Sequence, residues 1–405
     1  MKQTSILFIL FLIVACNSLP SPSRHVRRID YLTEKDAISE VESLLGKLNV
    51  ADTKSFYSER RVSTVWTKHI QSRGHRNDLL SETVLYFINF EDSLGFAVVS
   101  SDPAKGILGL ALSGSIGEND SIRIPGLAMT LANLEAYARE SPSRFRDSIA
   151  YYEYGEWSPL SYYSPYMGFC PVKWDQGSTS GNQYNSYCDS SGHICPAGCV
   201  AVATAQLMAM YKQPSSYNGY TFDWNAMIVN SSAQNNVGEY YVARLMQQLG
   251  LYVNLDMQYG VNLSSAPIAY IPRTLENFGF SQGGIHTYFS VPAMQELQNG
   301  YPIIIGGFVS YSSDIGHAWL GHGLIKKERE ICGYSAEGEL LLDEIEKKYY
   351  VLCNFGWEGV GDGYYDSNAF YTTNGPIYND PDLLGSSSGS YDFPYVPYCV
   401  IGIRP

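Results

Sequence analysis

Residues 199–211, CVAVATAQLMAMY, contain almost no polar side chain, and no other stretch limits the fold as much. The apolar residues occur at every offset, not along one stripe, which is the pattern of a helix buried on all sides. The rest of the core has to be built around it. Pro214 stops the run and Pro196-Ala197-Gly198 precedes it, so the helix is expected to start at Cys199. A thiol there sits at the positive end of the helix dipole, which favours thiolate, the reactive form. Taken alone, Cys199 could equally be a core residue, because cysteine is among the most buried residue types.

The chain has 405 residues, enough for two or three compact units, and is 45% hydrophobic. Its formal charge of −13 argues against a nucleic-acid partner, which needs a basic face. The N-terminus, MKQTSILFILFLIVACNSLP, has a basic start and a short apolar core, too short for a mature membrane helix and suited to an export signal over residues 1–15. LIVAC resembles a lipobox, with Cys16 as the lipidated first residue. The expected location is therefore the bacterial envelope or cell surface. A lipid anchor is the only expected link to a membrane, because no later run reaches the ~18 apolar residues of a membrane helix. Export also permits disulfides among the seven later cysteines, all of which lie beyond residue 165. Cys188 and Cys195 are close enough in sequence to close a local loop.

TEKDAISEVESLLGKL reads as a helix capped by Thr33, with Ala37, Ile38, Val41, Leu44, Leu45 and Leu48 on one face. RVSTVWTKH, ETVLYFINF, LGFAVVSSD and AKGILGLALSGS read as strands, and PGLAMTLANLEAYARES as a second helix. Composition changes at 150–165, where Cys, Tyr and Gly begin to rise. A domain boundary is placed there, with residues 16–150 before it and 151–405 after it. A cut between about residues 140 and 170 is expected. After NVGEYYVARLMQQLGLYV, a further helix, the chain ends in β-like runs. GSSSGSYDFPYV, residues 385–396, is expected to be a loop at the rim of a cleft.

A cysteine nucleophile needs a base. His317, in GHAWLGHG, opens a strand after Gly316, and His322 should face the other side of a regular strand. Further on, in CNFGWEG, Asn354 could accept the His317 ring N–H, with Phe355 or Trp357 shielding the pair. The order Cys199, His317, Asn354 matches the layout of papain-like peptidases. Gln176 lies upstream, where an amide and the Cys199 backbone N–H could form an oxyanion hole. Cys188, His193, Cys195 and Cys199 have the residue types of a zinc site but not the spacing. No metal or other cofactor is expected.

Taken together, GCVAVATAQLMAMYKQP, LMQQLGLYVNLDMQYG, LENFGF, GHAWLGHG, NFGWEG with DGYY, and VIGIRP resemble the streptopain family of papain-like cysteine peptidases, from about residue 80 to the C-terminus. The resemblance implies an α+β papain-like fold, with a helical half carrying the cysteine and an antiparallel half carrying the histidine. It also implies an inhibitory N-terminal propeptide that acts as an intramolecular partner, and protein or peptide substrates. By the same resemblance Cys199 is the nucleophile, His317 the general base and acid, Gln176 the oxyanion donor and Asn354 a third member. Gly316, Ser265 and Trp357 fall where substrate binds. The family commonly has a tryptophan where this chain has Phe355. Two other readings use the same residues: a non-catalytic binding lipoprotein and a Cys–His acyl transferase.

Overall fold

A computed structural model of the chain describes residues 27–28, 31–51, 60–71, 82–118, 124–139, 149–166, 168–177, 184–229, 236–287, 291–308, 316–370, 377–378, 391–392 and 398–405. The leader, Cys16 and all of the 385–396 loop except Tyr391–Asp392 lie outside these residues.

Helix α1 spans Glu34–Ala51. Its start is closed reciprocally: the Thr33 N–H and hydroxyl donate to Asp36 Oδ2 at 3.0 and 2.6 Å, and the Asp36 N–H donates to Thr33 Oγ1 at 3.3 Å. Helix α2 spans Pro125–Arg139, with proline at its first position where no N–H is needed. The two helices cover opposite faces of the early strands. Ala37, Val41, Leu44, Leu45 and Leu48 of α1 pack with Tyr86, Ile88, Ala97 and Val99. Leu127, Leu131 and Leu134 of α2 pack with Leu85, Phe87, Phe96 and Val98. The strand period of two sends alternate residues to the two sides.

One antiparallel sheet runs through the molecule. Its strands in order are Ile285–Thr287, Tyr398–Val400, Ile303–Phe308, Gly316–Tyr334, Leu340–Asn354, Gly363–Asp366, Ile107–Ala111, Phe96–Ser100, Glu82–Phe90 and Val62–Gln71. The first six come from the later part of the chain and the last four from the early part. The two parts meet where Gly363–Asp366 pairs with Ile107–Ala111, Tyr364 opposite Leu110. Glycine is required at this seam: a Cβ on Gly363 would lie 2.2 Å from the Leu110 carbonyl oxygen. Composition changes at 150–165, but the sheet does not break there.

Gly316–Tyr334 and Leu340–Asn354 form a long hairpin, and the segment joining the two parts of the chain is paired along its outer half. Tyr151–Tyr154 pairs with residues 331–334, and Ser161–Tyr163 with residues 324–326. Helix α3, Cys199–Tyr211, is buried in every residue after Cys199, as its all-round apolar sequence requires. It ends at Lys212 in the left-handed conformation, two residues before Pro214. Val200–Tyr211 form a core with Ala318 and Leu320 of the long strand and with the Asn236–Gly250 helix. The arrangement is the expected α+β one, with a helical part carrying Cys199 and an antiparallel part carrying His317.

Candidate active site

Cys199 is the first residue of α3. The Gly198 before it has φ 87°, and a Cβ there would lie 3.0 Å from Met257 Sδ and 3.2 Å from the Ser264 carbonyl oxygen. Glycine is therefore needed both for the turn and for the close approach of the 257–264 loop. Ser265 in that loop is exposed and exchanges backbone hydrogen bonds with Gln258 at 2.8 and 3.1 Å. The Ala197 N–H donates to the Gln176 carbonyl at 3.0 Å, which ties buried Gln176 to the turn that carries the nucleophile candidate.

The thiol meets the main chain of the histidine strand: the Ala318 N–H donates to Cys199 Sγ at 3.4 Å. Ala318 and Leu320 face α3, whereas Trp319 faces α2. His317 shares the Trp319 side, with ring centroids 6.2 Å apart and planes 19° apart. Its Nε2 lies 3.4 Å from the Phe355 carbonyl oxygen. Among the described residues no hydrogen bond joins the thiol to the imidazole. Burial pushes the Cys199 thiol up, against the pull of the Ala318, Val200 and Cys199 N–H groups. Burial also pushes the His317 imidazole down to about 4, with the Phe355 carbonyl acting weakly the other way. Both groups are held neutral, the opposite of the thiolate–imidazolium pair that attacks a carbonyl.

Part of the cover over the histidine comes from α2. Gly126 packs directly on the histidine: a Cβ there would lie 2.5 Å from His317 Cδ2, 2.7 Å from Nε2 and 2.8 Å from Phe355 Cδ1. This contact crosses the whole chain, and nothing in the PGLAM sequence marks it. Only the missing side chain hints at a close approach.

Asn354 does something other than expected. Its Oδ1 accepts from Gln206 Nε2 at 2.9 Å and the Gly356 N–H at 3.0 Å, and its Nδ2 donates to the Val172 carbonyl at 3.0 Å. It is fully engaged as a bracket between α3, residue 172 and the 354–357 turn, and the His317 ring N–H is not among its partners. Asn354 and His317 lie on different strands with different faces, so their sequence order does not bring the two side chains together. Gln206, two turns after Cys199, also donates to the Trp174 carbonyl at 3.1 Å. Its role is invisible in the sequence, where it is one polar residue in an apolar helix. His322 falls at the bulge between Gly321 and Gly323, where its Nδ1 accepts the Cys170 N–H at 3.1 Å. Gly316 is exposed at the strand start opposite Phe308, and Trp357 is half-buried against the α2 side.

Cys188 and Cys195 flank the hairpin of Asp189–Ser190 and His193–Ile194, with the Cys195 N–H on the Cys188 carbonyl at 2.7 Å. Among the described residues no disulfide is formed, and no cluster of side chains could hold a metal ion.

A family model for the Peptidase C10 family matches residues 174–365, the interval from the Gln176 segment to the Gly363–Asp366 strand. Streptopain from Streptococcus pyogenes is 24% identical over 374 residues, covering 80% of this chain and 82% of that protein. Streptopain from Streptococcus pyogenes serotype M28 is 24% identical over 365 residues, with the same coverage. Among solved structures, a fragment of prointerpain A from Prevotella intermedia carrying a cysteine-to-alanine substitution superposes with a TM-score of 0.51. It is 21% identical, and the match covers 84% of this chain and 99% of that one.

Proposed function

With the chain a streptopain-family cysteine peptidase through residues 174–365, we propose that it is an exported endopeptidase made as a zymogen, with Cys199 as nucleophile and His317 as general base and acid. The signal is residues 1–15 and the lipid is carried on Cys16. Residues 16–150 are the inhibitory part and residues 151–405 the catalytic part.

The chemistry follows from the residues. His317 takes the Cys199 proton, the sulfur attacks the carbonyl carbon of a substrate peptide bond, and the oxygen takes the negative charge. The Cys199 N–H at the head of α3 and the Gln176 amide are the donors for that oxyanion. His317 gives a proton to the leaving nitrogen, the C–N bond breaks, and the acyl group stays on sulfur as a thioester. A water molecule then gives a proton to His317 and attacks the thioester, and His317 returns that proton to the departing sulfur, releasing the acid and the thiol. Ser265, Gly316 and Trp357 line the path of the substrate chain.

The observation that carries this reading is the contact of Cys199 Sγ with the amide of Ala318, the residue next to His317, while Gly126 occupies the histidine's other side. Removing α2 frees the ring to turn towards the sulfur across one strand. The test is incubation with a peptidyl epoxide, before and after limited proteolysis, with mass mapping of the modified cysteine. The expected result is modification of Cys199 only after the cut, together with peptide hydrolysis. Equal labelling of the uncut chain would refute latency, and labelling elsewhere would refute the nucleophile.

A further inference from the structure

Phe355 is held on both sides of its α-carbon. Its N–H donates to Asp362 Oδ1 at 2.8 Å, and the next N–H, of Gly356, is held by Asn354. The carbonyl between these two anchors is the one that faces His317 Nε2. Asp362 is an unusual anchor. Its carboxyl lies within electrostatic reach of Cys170, Cys353, Tyr365 and Lys173. Burial pushes it up to about 7, while the Phe355 N–H and Lys173 draw it down. A bond from an N–H to such a carboxylate is stronger and more directional than one to a neutral acceptor.

The turn that carries Asp362 is also where the N-terminal part takes hold. The Leu112 N–H donates to the Asp362 carbonyl at 2.7 Å, and the Gly361 N–H donates to the Ser113 carbonyl at 3.2 Å. The Ser113 hydroxyl donates to the Gly359 carbonyl. Leu127 lies over the same turn, where a Cβ on Gly361 would be 2.8 Å from its Cδ2. The residue before Leu127 is the glycine on the histidine ring.

We propose that Asp362 is a positioning residue for His317, acting through the main chain of Phe355, and that the N-terminal part bears on the histidine through its grip on the Gly359–Asp362 turn as well as through Gly126. This rests on the reading of His317 as the base. In the activated enzyme Asp362 keeps Phe355 as a fixed wall, so that the imidazole has one productive orientation towards Cys199. In the uncut chain the same wall holds the ring away.

The test uses the full-length chain activated by limited proteolysis. Asp362→Ala should lower kcat about 100-fold with KM little changed, the scale of a misplaced catalytic group. The pH profile of Cys199 alkylation by iodoacetamide should move towards that of an ordinary thiol, near pH ~8.5. Asp362→Asn keeps an acceptor oxygen for the Phe355 N–H and should restore most of both. In the uncut chain, Ser113→Ala should raise the rate of Cys199 alkylation several-fold. A parent kcat and a parent alkylation profile in Asp362→Ala would overturn the proposal. So would an Asn variant as impaired as the Ala variant. If Asp362→Ala does not fold, the Asn and Ser113 variants decide. His317→Ala is measured beside them: turnover surviving there removes the role of His317, whereas its loss together with a normal Asp362→Ala removes the relay alone.

Discussion

The core around α3 and the dock between the outer hairpin and the N-terminal part are both buried, yet they are built from opposite materials. Helix α3 has no charged residue and is enclosed by apolar side chains. The hairpin's side of the dock contains a set of enclosed charges, met from the N-terminal part by the Pro103 carbonyl and by Glu40. Arg329 Nε lies 2.6 Å from Glu346 and its Nη2 donates to the Pro103 carbonyl at 2.5 Å. Lys348 lies 3.0 Å from Asp366. Lys327 stands 4.1 Å from the centre of the Trp157 ring, and Glu40 of α1 contributes a buried oxygen without a hydrogen bond. An apolar core has no conditions under which it lets go short of unfolding. A charged dock depends on pH and on the presence of every partner. On the proposed reading, the difference separates what must stay fixed, the mount of Cys199, from what must be able to leave.

The sharpest break in this contrast is at the thiol. Cys199→Ala should lower peptide hydrolysis about a millionfold, as removal of a nucleophile does, with thermal stability nearly unchanged. Full turnover in that variant would end the catalytic reading of α3. Next comes the dock. Arg329→Ala leaves Glu346 buried without its cation and should cost the uncut chain about 3–5 kcal/mol in chemical denaturation. Replacing both, Arg329→Met with Glu346→Leu, should be close to neutral; a double variant as unstable as the single one would mean that shape and not charge governs the dock. For the core, Leu207→Ala should cost about 2–5 kcal/mol before and after activation alike, and a loss confined to the uncut chain would erase the contrast. Gly126→Val should loosen the N-terminal part by about 1–3 kcal/mol through overpacking. The readout is a higher rate of Cys199 alkylation in the uncut chain, and an unchanged rate would show that α2 is not what holds the ring.

The smallest effect is in pH. Burial, with Lys348 and Arg329 nearby, lowers the Lys327 amine to about 7. Between that value and its ordinary range the unfolded chain binds the extra proton. Stability of the uncut chain should therefore rise with pH from about 7 upward, by at most ~1.4 kcal/mol per pH unit from this group. Lys327→Met should flatten that rise, and a slope identical in both proteins would show that Lys327 is not titrating in the dock.

The elements of the fold were legible where period and termination signals agree. The α1 cap was readable from Thr33 and Asp36, and α3 from its apolar run between Gly198 and Pro214. The continuous sheet was not legible, because strand order across 250 residues of chain is set by backbone pairing at Gly363 and Leu110, and no side-chain pattern encodes that pairing. At the site, the residue types and their order pointed to Cys199, His317 and Gln176. Side-chain direction did not follow. Asn354 was assigned to the ring because it comes next in sequence, but its amide is used up by Gln206, Gly356 and Val172. Gly126 and Asp362 were missed for a common reason: each acts on a residue of another segment through a contact that leaves no periodicity.

The seam of Ile107–Ala111 on Gly363–Asp366 has a consequence for dose. While the chain is uncut, the early strands face the seam at the effective concentration set by their own tether, in the millimolar range for a short flexible link. Were the joining segment cut as proposed, none of the hydrogen bonds at the seam would change, but they would become bimolecular. Occupancy would then depend on how dilute the released piece becomes, so the same contact that is saturated in the intact molecule would empty in an open medium and refill where the fragment accumulates.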